Sequence, residues 1–179
     1  MATVDPIKLN LPNSFIPETN QICVVTRDLD AMVQRYADEL GIGPWWVNEY
    51  KRPDLFDTTY RGQEEHYSMR LALAWTGALN WEIIQPLEGR SIYHDYLERN
   101  QEGIQHVGIL LSDLGMTWEE CHQNFKSRGF EKIQEGSWKR VRFCYYDTLA
   151  SSGTIFEVID RPADFERPEP LYWYPKQGR

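Results

Sequence analysis

Two glutamates sit where a carboxylate is hardest to keep. Glu82 lies in LNWEIIQP and Glu157 in TIFEVID, each flanked by bulky apolar residues. Burying an isolated carboxylate costs several kcal/mol, so each must be paired, hydrogen-bonded, protonated or bound to a metal. Two further polar residues open matching apolar runs: Gln21 in QICVVTRDL and His106 in HVGILLSDL. Alternation along a strand puts Glu82 on one face with Ile84, Gln21 with Cys23 and Val25, and His106 with Gly108 and Leu110. Gly108 leaves room above its strand. If the two halves are related by an approximate two-fold axis, one imidazole nitrogen, two carboxylates and one amide oxygen converge. A nitrogen and oxygen set without thiolate suits one divalent ion, Zn, Ni, Co, Mn or Fe, with positions left for water or substrate.

The elements that would position these residues repeat along the chain. Gln21 to Asp28 and His106 to Asp113 have the same spacing, and WEIIQP matches FEVIDRP with one residue inserted. Such a repeat governs the fold assignment. In the first half, ICVVT reads as a strand apolar on both faces. LDAMVQRYADELG reads as a helix with Leu29, Met32, Val33, Tyr36 and Leu40 on one stripe, capped by Asp28 or Asp30 and ended by Gly41. PWWVNEYK, EHYSMRLALAW and LNWEIIQP read as strands, and RPDLFDTTYRGQE as a turn-rich loop. In the second half, GIQHVGILL is a strand. MTWEECHQNFKSRG is a helix with Thr117 and Glu120 in capping-box spacing, and FEKIQ, RVRFCYYDT and GTIFEVID are strands. Each half is therefore β-α-β-β-β. The expected fold class is α+β: paired βαβββ modules in a cupped, mostly antiparallel sheet with helices outside. The expected organisation is an extension at 1–19, one domain at 20–162 and a Pro-rich aromatic tail at 163–179. Within the domain, modules at 20–87 and 104–160 flank a linking helix at 90–101. The tail is expected to pack on the surface or on a partner subunit.

Composition narrows the function classes. A length of 179 residues with 41% hydrophobic residues is enough for one real core. A net charge of −8 argues against a general nucleic-acid binder. No run approaches the ~20 apolar residues of a membrane helix. Cys23, Cys121 and Cys144 form no CxxC pair and read as reduced core thiols of a cytoplasmic protein. The start, MATVDPIKLNLPNSF, lacks the layout of a signal peptide.

The two starts QICVVTRDLD and HVGILLSDL, the GIGPW after the first helix and the two strand-borne glutamates resemble the vicinal oxygen chelate superfamily. That group spans glyoxalase I, methylmalonyl-CoA epimerase, bleomycin-resistance and extradiol-dioxygenase proteins. The resemblance runs from Asn20 to Pro162, and SIYHDYLERNQEGIQH is most similar to the epimerase-like branch. It implies one divalent metal at Gln21, Glu82, His106 and Glu157, a small carbonyl substrate and a homodimer. It also implies enolising chemistry (epimerisation, isomerisation or a lyase step), with Glu157 as first candidate for the base and Glu82 as second. Gln21 and Glu82 are similar to the glyoxalase I set rather than the epimerase one. Glu65 and His66 lie near where epimerase-like members place a general base, and their plain reading is a solvated strand end.

Two other classes stay open. A ring-cleaving Fe(II) dioxygenase wants two His and one carboxylate, which Gln21 and the extra Glu82 disfavour. A metal-free protein that sequesters a ligand fits the aromatic content of 13%, but leaves buried charges without partners. Of the other residues, Tyr145 and Tyr146 point to opposite faces, so at most one reaches the site. Trp45, Trp46 and Trp75 read as core. Lys139, Arg140 and Arg142 read as an exposed strand pair, and His94 and His122 as solvent-facing.

Overall fold

The computed structural model describes residues 14–99 and 102–176. Residues 1–13 of the expected extension lie outside the described residues, as do the last two residues of the expected linking helix and the last three of the tail. The chain runs β1 (Gln21–Val25), α1 (Leu29–Asp38), β2 (Trp45–Tyr50), β3 (Leu55–Tyr60), β4 (Gln63–Glu64), β5 (Met69–Thr76), β6 (Leu79–Pro86) and α2 (Ile92–Arg99). It continues β7 (Gly103–Leu110), α3 (Leu111–Leu114), α4 (Trp118–Ser127), β8 (Lys132–Trp138), β9 (Val141–Tyr146), α5 (Leu149–Ser152), β10 (Ile155–Asp160) and β11 (Tyr172–Tyr174).

The long helices begin where their caps dictate. Asp28 accepts from the Ala31 N–H at 3.0 Å, and Thr117 and Glu120 close a reciprocal capping box. Leu29 and Val33 of α1 are buried, with Met32 and Tyr36 packed beside them. Leu40 is 64% exposed, because the helix ends two residues earlier and Gly41 turns the chain at φ 68°.

One sheet of 11 strands holds the molecule together, ordered β11-β2-β5-β6-β1-β7-β10-β9-β8-β3-β4. Among the described residues only β1–β6 and β7–β10 pair in parallel; the other pairings are antiparallel. The α+β class and the cupped sheet are thus as expected. The middle of the order, β2-β5-β6-β1 followed by β7-β10-β9-β8, is a module and its reverse. The register obeys the same two-fold. Gln21 faces Gly108 and Cys23 faces His106. Cys23 faces Glu82, and its counterpart Gly108 faces Glu157.

Outside the sheet, α1 covers Val24, Val47, Ala72 and Ile83, while α4 covers Cys144, Tyr146 and Val158. Each fully buried aliphatic side chain there contributes about 1.5–3 kcal/mol. A third cluster, including Val25, Trp46, Leu71, Ile84, Trp138 and Tyr145, fills the inside of the cup. The cup curls until opposite flanks meet: Tyr50 of β2 lies flat on Trp138 of β8, centroids 4.0 Å apart and 4° from parallel.

Two expectations fail. The stretch expected as a loop forms the β3–β4 hairpin, and β3 pairs with β8 of the other module. The tail packs on the protein's own surface, one of its two expected placements, and does so as a strand, with β11 paired to β2. The strand expected from Glu65 begins only at Met69, and α3 and α5 are additional short helices. The three cysteines are free and buried. Among the described residues no helix is long and apolar enough to cross a membrane.

Candidate functional site

Adjacency of β1 and β7, with β6 and β10 beside them, turns four polar side chains toward one point inside the cup. Gln21, Glu82 and Glu157 are 7, 6 and 4% exposed, and His106 is fully buried just beneath them. His106 Nε2 lies 3.2 Å from Glu82 Oε2 and 3.5 Å from Glu157 Oε2. Gln21 Nε2 donates to the same two oxygens, at 2.8 and 3.2 Å. All four expected metal-site residues are therefore gathered in one cluster.

The neighbouring Gln105 fixes how the imidazole is used. Its amide nitrogen donates to the Ile92 carbonyl at 2.8 Å, so its Oε1 faces His106 Nδ1 at 2.8 Å and requires the proton there. Nε2 then points at two carboxylates. A bare lone pair facing two anions is unfavourable, so this corner calls for a positive charge, either a second imidazole proton or a cation. Burial opposes protonation of His106, but Glu157 and Glu82 outweigh it and hold its pKa up at about 9. Burial pushes Glu82 up; His106 offsets part of this and Glu157 adds to it. The donor set passes the test for a divalent ion: one imidazole nitrogen and two carboxylates converge, and turning the Gln21 amide would present its oxygen.

Cys23 belongs to the same cluster. Its sulfur, a Glu82 oxygen and a His106 nitrogen lie within 4.8 Å of one another. Burial, then Glu82 and Glu157, push the thiol well above its ordinary pKa, so it stands there as a neutral S–H. The sequence placed Cys23 on the Gln21 face without giving it a part.

Over this floor opens a cavity of about 210 Å³. Its walls mix apolar and aromatic side chains, including Leu71, Leu73, Trp138, Phe143 and Tyr145, with polar Asn20 and Asn80. Tyr145 stands edge-on to the His106 ring at 5.0 Å, and its hydroxyl meets that of Tyr93 at 2.7 Å. Tyr146 points the other way and stacks on Phe125. Trp45 and Trp46 are core, but Trp75 is not: it is 41% exposed and lines the cavity. It shares the inward face of β5 with Leu71 and Leu73, opposite the face that α1 covers at Ala72 and Ala74.

Glu65 and His66 are not brought to the cavity. Glu65 pairs with Arg90 at 2.7 Å, and exposed His66 lies 3.5 Å from Glu64. Lys139, Arg140 and Arg142 are engaged with Asp54, Asp164 and Asp160. His94 is half-buried against Ser91. His122 is half-buried rather than solvent-facing, stacked on Tyr146 with its Nδ1 unpartnered. Arg161 and Arg167, unremarked in the sequence, line the cavity.

The family model of the Glyoxalase/Bleomycin resistance protein/Dioxygenase superfamily matches residues 20–145. The chain belongs to this superfamily. Among solved structures, methylmalonyl-CoA epimerase from Mycobacterium tuberculosis matches with a TM-score of 0.60 at 18% identity, over 86% of this chain and 93% of that one. A hypothetical protein from Bacillus halodurans C-125 matches with 0.60 at 17%, over 84% and 98%. A single-residue variant of Streptomyces coelicolor methylmalonyl-CoA epimerase, in complex with 2-nitronate-propionyl-CoA, matches with 0.56 at 18%, over 87% and 100%. At such identities the likeness establishes the superfamily fold. No curated protein matches the chain significantly.

Proposed function

We propose that the protein is a divalent-metal-dependent enzyme that enolises a small carbonyl substrate, in an epimerase, isomerase or lyase reaction. One observation carries this reading: a buried imidazole nitrogen is aimed at two carboxylates, 3.2 and 3.5 Å away, beneath an apolar cavity. His106, Glu82, Glu157 and the Gln21 oxygen would hold the ion. When bound, it would supply Lewis-acid stabilisation of the enolate oxygen.

The rest falls to the chain's own groups. Glu157 is the first candidate to take the proton from the carbon beside the carbonyl, and Glu82 the second. Burial raises the proton affinity of Glu82 toward the neutral range useful to a base. Gln105 holds the imidazole in one tautomer, and Tyr93 holds the Tyr145 ring against it. The apolar walls exclude water from the reacting carbon. A homodimer belongs to the same reading and is tested by sedimentation.

A second reading is favoured by the Gln21 amide. By donating to both carboxylates it completes a network that a protonated His106 satisfies without metal, as in a ligand-sequestering protein. Elemental mass spectrometry on chelator-free protein decides between them. About one transition metal per chain, absent from His106→Ala and Glu157→Ala, is expected, followed by metal-dependent deuterium exchange into a carbonyl substrate. No metal after reconstitution with Zn, Ni, Co and Mn would leave the binding protein. Iron lost on exposure to oxygen would point to the dioxygenase instead.

A further inference from the structure

The charged residues that end β10 and follow it divide into paired and unpaired ones. Asp160 is taken by Arg142 at 2.5 Å, and Asp164 by Arg140 at 2.9 Å. Arg161 and Arg167 lie beside these acids in sequence and both line the cavity. Among the described residues neither has a hydrogen bond or ion pair to protein. Arg167 rests its guanidinium over the exposed Trp75 ring at 4.9 Å. Crowding by protein, then the charge of nearby Arg161, lower its pKa. Two unpaired guanidiniums repelling each other at the rim of an apolar cavity form an anion-binding arrangement.

Their placement is fixed by the fold. Glu157, Ile159 and Arg161 alternate along the β10 direction and line the same cavity. Four residues of extended chain put roughly 13 Å between the Glu157 and Arg161 backbones. Arg167 is held by the tail on both sides: Phe165 packs edge-on to Trp138, and Trp46 Nε1 donates to the Pro168 carbonyl at 3.0 Å. Beyond that point β11 is anchored on β2. Arg161 directly follows β10 and Arg167 lies in the tail, so the end of the second module and the tail together build this end of the cavity.

We propose that Arg161 and Arg167 bind the anionic end of an elongated amphipathic substrate, whose apolar or aromatic body lies along Leu73, Trp138 and Phe143 and whose reacting carbonyl sits over Glu82 and Glu157. The part about the carbonyl rests on the enolising reading; the part about the anion does not. The anion is a carboxylate or a phosphate, and the two sources are separable.

Fluorescence titration with two probes of the same aromatic bulk tests it: anionic 8-anilinonaphthalene-1-sulfonate and neutral N-phenyl-1-naphthylamine. The parent should bind the sulfonate more tightly, with an advantage that shrinks as salt rises. Arg161→Gln and Arg167→Gln should each weaken sulfonate binding about 5- to 30-fold, with the neutral probe unchanged. Arg167→Lys should fall between. Displacement by octanoate but not by coenzyme A assigns a carboxylate, and displacement by coenzyme A assigns phosphate. Sulfonate affinity that survives Arg161→Gln/Arg167→Gln would overturn the proposal. So would equal loss of both probes, or a parent that binds neither. Melting temperature and metal content, read on the same samples, should match the parent. The His106→Ala variant should lose metal and keep the sulfonate, so that either reading can fail without the other.

Discussion

Equivalent positions of the two modules carry different chemistry on one scaffold. Gln21 stands where the second module has His106, and Cys23 where it has Gly108. Leu73 faces Glu82 across β5 and β6, where Tyr145 faces Glu157 across β9 and β10. Only the glutamates are the same. The backbone two-fold delivers two carboxylates symmetrically, while at these paired positions the second module supplies the imidazole, a phenol beside Glu157, and a glycine into whose place Gln21 packs. Symmetry builds the floor, and departures from it make the two sides chemically unequal.

The sharpest way to break this comparison is to empty the paired positions. His106→Ala should weaken metal binding by more than the 10- to 100-fold typical of supporting residues, and Gln21→Ala by about 10-fold. Competition against a chromogenic chelator reads both. If exchanging the pair, Gln21→His with His106→Gln, restores parental affinity, the modules are interchangeable and the asymmetry carries no meaning.

Next comes the space above the strands. A Cβ on Gly108 would lie 2.9 Å from Gln21 Cβ and 3.3 Å from Glu157 Oε2. Gly108→Ala should therefore cost about 1–3 kcal/mol in urea unfolding of metal-free protein. Cys23→Ala, which only removes atoms, should cost about 1 kcal/mol and keep metal binding. Equal costs would mean that Gly108 is not reserved space.

The smallest difference concerns the walls. Tyr145→Phe removes one hydroxyl of the buried pair with Tyr93 and should cost about 1 kcal/mol. Leu73→Met keeps volume and should stay below that in the same unfolding measurement. A larger cost at Leu73 would reverse the assignment of the second module as the specialised one.

The parts of the molecule that follow alternation were legible in the sequence. Gln21, Glu82, His106 and Glu157 share an inward face because each lies in a strand, and the repeat gives their common register even though the β1–β7 register slips just beyond His106. The helix caps were legible because Asp28, Thr117 and Glu120 act within a few residues of themselves. β3 was hidden because a bulge breaks its alternation: the register slips between Phe56 and Thr59, and Asp57 sits at φ 50°. β11 was hidden because its pairing with β2 joins residues far apart in sequence, in a tail whose prolines read as irregular. Arg161 and Arg167 went unremarked because their place at the cavity depends on how β10 and the tail close over it, a three-dimensional fact with no local signature. Glu65 and His66 attracted notice through the resemblance to epimerase-like members, and the chain turns them away from the cavity before β5 begins.

The exchanged flanks of the sheet also bear on how the molecule comes into being. β8 is bordered by a hairpin from the first module, and β2 by the last strand of the chain. During synthesis, β3 is made long before its neighbour β8 exists, and β2 waits for β11, which follows every other strand described. Such distant pairings slow folding and keep strand borders uncovered on the ribosome. Neither half can be severed without baring one of those borders, so the two modules must mature together. The rim bearing Arg167 is made after every strand of the floor beneath it, so the cavity's base exists before this part of its edge does.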